Sequence, residues 1–176
     1  MLFIPGALVS LVTFPGVILH ELAHKLFCDW AGVKFLEVKY LRIGSVLSLR
    51  SAPAGWVIHE SPSTWAQTFW ISVGPLVVNS LACIGLAFLY AQAQPDSFLA
   101  YLLGWVAIST GMHAFPSDAD ASNVLTRSKQ NLAGGGSAFH YLSYPLFWII
   151  WIANKLRVFW FDLVYAMALF YFGSSI

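Results

Sequence analysis

Charge is what this chain has least of. Only 10% of its 176 residues are Asp, Glu, Lys or Arg, against about 25% in soluble domains. That scarcity argues against a soluble domain, and a net charge of +1 predicts no nucleic-acid partner. Cysteine is nearly missing as well. Cys28 and Cys83 lie in or beside apolar runs with no spacing pattern, so free thiols are expected and a disulfide framework is not. No N-x-S/T sequon occurs, and there is no repeat, low-complexity tract or heptad pattern. The first residues are apolar but lack a basic segment and a small-residue cleavage site. A retained span is therefore expected in place of a signal peptide.

What remains is apolar. Hydrophobic residues make up 59% and the mean hydropathy is +0.71, while eight Trp and seven Tyr suit two membrane–water interfaces. The fold class expected is an α-helical polytopic membrane protein with three core transmembrane helices, a C-terminal helix or helices and a small β-sheet insert at the cytoplasmic face. One domain covers residues 1–176, with a core over 1–126, a β-prone insert over 33–60 and a helical segment over 141–173.

The spans are expected at about Leu2 to Phe27, Trp65 to Ala91 and Phe98 to Ala114. Pro5 and Pro15 kink the first, and Gly74-Pro75 breaks the first half of the second. Val33 to Tyr40, Val46 to Arg50 and Trp56 to Glu60 read as short strands, broken by Gly44 and Pro53-Ala54-Gly55. A short helix over Ser122 to Asn131 is expected before the linker Gly134-Gly135-Gly136. Beyond Tyr141, two apolar runs flank Asn154, Lys155 and Arg157. They form either one long helix or an interfacial helix followed by a short span, and Asp162 can neutralise Arg157. Lys34, Lys39, Arg42 and Arg50 follow the first span, and Arg127 and Lys129 follow the third. The positive-inside rule makes that side cytoplasmic.

The chemistry concentrates in His20-Glu21-Leu22-Ala23-His24. Two histidines four apart share one helix face and can bind one Zn²⁺, with Glu21 about 100° round the helix to reach a metal-bound water. With five His and three Glu in the chain, chance gives this pattern in roughly two or three such chains per thousand. A catalytic zinc wants a third protein ligand and an open position. Topology brings the segment after the third span to the same depth, which makes Asp118, Asp120 and His113 the candidates. Asp118-x-Asp120-x-Ser122 begins like a calcium loop, but Asn123 and Lys129 stand where that loop needs Gly and Glu. Asn79 is either an interhelical hydrogen-bonder beside Ser80 and Ala82 or a donor to a substrate carbonyl.

Three segments together resemble the site-2 protease family of intramembrane zinc metalloproteases. They are His20-Glu21-Leu22-Ala23-His24, then Gly74-Pro75-Leu76-Val77-Val78-Asn79, similar to the family's G-P-x-x-N segment, then Ala114-Phe115-Pro116-Ser117-Asp118, similar to its Pro-rich segment ending in Asp-Gly. The resemblance spans roughly residues 10 to 125. It implies His20, His24 and Asp118 as zinc ligands, Glu21 as general base and Asn79 as a substrate-binding helper. The chain departs from the pattern at Ala119, where the family usually has Gly, and at Thr110 and His113, where it has a leading Asn-x-x-Pro.

The activity expected is an intramembrane zinc endopeptidase with one Zn²⁺ per chain, acting on a membrane-spanning protein from the cytoplasmic side. The absence of sequons and the compact size favour a prokaryotic plasma membrane. The short strands can hold an unwound substrate by strand addition. Two other readings compete: a silent relative that binds membrane segments without cutting them, and a small transporter whose His and Asp line an ion path.

Overall fold

The computed structural model describes residues 6–41 and 54–176. It is mostly helical, 75%, with one small antiparallel sheet. In chain order the elements are α1 (Gly6–Val12), α2 (Phe14–Ala31), β1 (Phe35–Lys39), β2 (Trp56–His59), α3 (Trp65–Gln92), α4 (Phe98–Met112), α5 (Asp118–Ala133), α6 (Ser143–Leu156) and α7 (Phe161–Ser174). Single 3₁₀ segments precede and follow α6.

The expected first span is broken. The chain leaves α1 at Thr13, and Pro15 then occupies the first turn of α2, where a missing N–H costs nothing. The end of α2 is sharp: Gly32 takes φ +67°, and Val33 N–H returns to the Cys28 carbonyl at 2.9 Å. That reversal leads into β1, which pairs with β2 in the register Phe35–His59, Val38–Val57 and Lys39–Trp56. The strand expected over Val46 to Arg50 lies outside the described residues.

α3 is the central element. Thr64 and Gln67 close a capping box at its start, and it runs 28 residues without interruption through Gly74-Pro75, so the expected break is absent. It packs against α2, α4, α5 and α7. Small residues let the backbones approach. A Cβ on Gly74 would lie 2.0 Å from the Phe27 ring, and one on Gly16 would lie 1.9 Å from the Ser109 carbonyl oxygen. The buried residues are correspondingly small, Ala23, Cys28, Cys83, Ala87, Ala107 and Ala166 among them, whereas Leu81, Phe98, Tyr101 and Tyr171 face outward. Both cysteines are buried free thiols.

Among the described residues, α3 is the one helix long and apolar enough to cross a membrane. A second crossing is possible if the pair that breaks at Trp160 counts as one span. α4, at 15 residues, is apolar but shorter, and α2 carries Glu21, Lys25 and Asp29 in its 18 residues. The C-terminal segment is neither one long helix nor a straight pair. It bends by 100° at Trp160, which sits at φ +61°, and Arg157 meets Asp162 across the bend at 3.9 Å. α5 begins at Asp118, four residues earlier than expected, because Ser117 caps it.

Candidate metal centre

α2 presents His20 and His24 on one face, as their spacing requires, with Nε2 atoms 3.2 Å apart. Backbone carbonyls hold each ring from behind. His20 Nδ1 lies 2.7 Å from the His113 carbonyl oxygen, and His24 Nδ1 lies 2.7 Å from that of Ile71. A carbonyl only accepts, so each Nδ1 carries a proton and each ring turns its Nε2 toward the other, where a shared cation would bridge them. A tetrahedral centre with metal–nitrogen bonds of about 2.0–2.1 Å separates its ligand atoms by about 3.3 Å, close to the spacing seen.

The Ile71 carbonyl is available for a reason written in the chain. It is the oxygen that the N–H of residue 75 would take in a regular helix, and residue 75 is proline. Pro75 therefore leaves a carbonyl unpaired inside α3, and His24 fills it. The His113 carbonyl ends α4, where the helix stops and its last oxygens have no helical partner. It is shared with Asn79, whose Nδ2 donates to His113 at 3.0 Å, Gly16 at 3.2 Å and Thr110 at 3.3 Å. Asn79 thus ties α2, α3 and α4 together behind His20.

The aspartate that lies beside the histidines differs from the one the family resemblance implies. Asp120, not Asp118, joins the histidines: His20, His24 and Asp120 offer ligand atoms all within 4.8 Å of one another, and Asp120 Oδ2 lies 3.7 Å from His24 Nε2. These three could hold a metal ion. The reason is helix phase. Asp118 opens α5 and turns toward α6, where Asn154 Nδ2 donates to it at 2.8 Å and Lys155 pairs with it at 3.5 Å. Asp120, two residues on, points back over α2. Ser117 donates to its Oδ2 from N–H at 2.9 Å and Oγ at 2.6 Å, in the capping box that starts α5. One carboxylate therefore caps the helix and is held rigidly beside the histidines.

The other expectations distribute as follows. Glu21 is buried on α2 at 9% exposure, and a Cβ on Gly55 would lie 2.7 Å from its Cγ, so the start of β2 presses against it. Asn79, expected to help bind substrate, is fully buried; its Nδ2 lies within hydrogen-bond reach of three carbonyls, and its Oδ1 has no partner among the described residues. The His113 side chain turns away from the centre. Thr13 Oγ1 donates to the Val9 carbonyl, so His113 Nε2 donates to Thr13 Oγ1 at 2.7 Å. Sequence reasoning missed the carbonyls of Ile71 and His113, because backbone oxygens carry no residue signature. Pro75, four residues after Ile71, was the available signal for one of them.

Compared with protein-family models, curated proteins and solved structures, the chain finds no match.

Proposed function

We propose that this chain is an intramembrane zinc endopeptidase of the site-2 protease type. The reading rests on one observation above all: the convergence of His20 Nε2, His24 Nε2 and an Asp120 oxygen, with both rings locked from behind and Glu21 next in sequence. The donor set, two imidazoles and one carboxylate, suits zinc.

Zinc bound there supplies Lewis acidity to a water and to the scissile carbonyl. Glu21 takes the proton from the attacking water and returns it to the amine that leaves. The His113 and Ile71 carbonyls keep both Nε2 atoms aimed at the centre throughout. Asn79 keeps the His113 carbonyl in place.

Several features support a membrane setting with more than one crossing. The core is built of small residues while large apolar side chains face outward, the reverse of a soluble protein's economy. Phe27, Trp30, Trp65, Phe69 and Trp70 form one connected aromatic group where α2 ends and α3 begins, as at a headgroup boundary. Ile71 follows Trp70 directly in α3 and its carbonyl meets His24, so the histidines lie just beside that aromatic group. The basic residues that follow the first and third apolar segments favour the cytoplasmic side for this end. The substrate is then a membrane-spanning protein cut near the end of its helix, where unwinding costs least.

The test uses a membrane-spanning reporter and zinc-loaded protein. Glu21→Gln is expected to retain one zinc per chain and lose cleavage. Cleavage at the wild-type rate in that variant would remove Glu21 from the mechanism.

A further inference from the structure

Beside the metal centre lies a second, polar feature that the proposed chemistry does not use. A cleft of about 360 Å³ opens between the end of β2, the first turns of α3 and one face of α5. His59, Thr68, Ser72, Asn123, Thr126 and Arg127 are among its lining residues. Ile71 also lines it, and the carbonyl of the same residue holds His24, so cleft and centre share a wall.

Arg127 gives the cleft its chemistry. One Nη donates to the Ser63 carbonyl, and the other reaches Gln130 Oε1 only at 3.5 Å. Its Nε is buried with no partner. Among the described lining residues it is the sole permanent charge, and no carboxylate faces it there. A guanidinium held by one neutral carbonyl, with its other Nη only loosely engaged, is suited to recognising a carboxylate. The helix phase adds direction. Asp120, Asn123 and Arg127 follow one another along one side of α5, and Asp120 and Arg127 are seven residues apart. That spacing is about 10 Å along the helix. An extended peptide covers the same distance in about three residues.

We infer that this cleft is a substrate subsite that takes an acidic side chain, about three residues from the bond cut at the centre, with Arg127 as the residue that recognises it. The inference rests on the peptidase reading for the word substrate, but its binding chemistry is separable. Asn123 lines the way from Asp120 to Arg127 and offers a side-chain amide donor there.

The experiment measures binding rather than cleavage. Fluorescent six-residue apolar peptides carry one Glu, or one Gln in its place, at each position in turn. They are titrated by anisotropy into zinc-loaded Glu21→Gln protein in micelles, so that nothing is turned over. One position is expected to favour Glu over Gln by about tenfold or more, with Arg127→Gln removing the preference and Arg127→Lys keeping part of it. Equal binding of the two series at every position, or no binding by either, overturns the inference without Arg127 having to be changed. A preference undiminished in Arg127→Gln overturns the assignment to Arg127. Free acetate that competes as well as the Glu peptide overturns the peptide subsite in favour of a general anion site. If the preference stands while wild-type protein cuts no reporter, the subsite survives and the peptidase reading fails.

Discussion

Asp118 and Asp120 are separated by one residue and by opposite expectations. Asp120 is the carboxylate beside the two histidines, so under the proposed function replacing it removes a ligand. Structural zinc sites with four ligands bind with about 10–16 kcal/mol, or about 3 kcal/mol per ligand. Loss of one ligand is then worth about 100-fold in zinc affinity. Asp120→Ala also breaks the capping box with Ser117, at about 1 kcal/mol of stability. Asp120→Asn is the cleaner probe, because its amide oxygen can still accept from Ser117 while the anion is gone. Asp118→Ala loses a hydrogen bond from Asn154, worth about 1 kcal/mol, and a half-exposed pairing with Lys155, worth about 0–1 kcal/mol. Its zinc affinity is expected within about threefold of wild type, since nothing it touches reaches the histidines. Zinc content per chain by elemental analysis, with chelator competition for affinity, reads both variants against thermal unfolding. Full zinc affinity in Asp120→Asn together with loss in Asp118→Ala would refute the geometric argument and restore the ligand set that the family resemblance implies.

Other consequences follow from the groups behind the histidines. Pro75→Ala returns an N–H that competes with His24 for the Ile71 carbonyl. Chelator competition is expected to show zinc affinity falling about 10-fold, while thermal unfolding holds or rises because a helical bond is regained. Unchanged affinity would mean that the freed carbonyl does not orient His24. Asn79→Leu keeps the volume but removes the Nδ2 donor that the carbonyls of Gly16, Thr110 and His113 share. A stability loss of about 1–3 kcal/mol by chemical unfolding and a weaker zinc site are expected together. A loss of cleavage with zinc and stability intact would instead return Asn79 to a direct role with substrate.

Much of the site was legible before any fold was known, because helical periodicity is local. A four-residue step returns to nearly the same side of a helix, so His20 and His24 had to meet, and the apolar sequence predicted α3 closely while running α1 and α2 together as one span. The short strands on either side of residues 42–53 followed from β-prone composition in the same way. What local pattern misjudged was continuity. Gly74-Pro75 reads as a break, yet α3 runs through it, because Phe27 packs into the space over Gly74 and His24 satisfies the carbonyl that Pro75 leaves free.

The sequence by itself determined the pair of histidines, the acid between them and the apolar helices that carry them, since each depends only on neighbours along the chain. The tertiary structure alone decided which aspartate turns toward those histidines, that the Asn79 Nδ2 lies against backbone carbonyls, and which carbonyls fix the imidazoles. Those choices depend on the phase of α5 against α2 and on where α4 stops. Contacts between residues 47 and 93 positions apart set them, and no local pattern records those contacts.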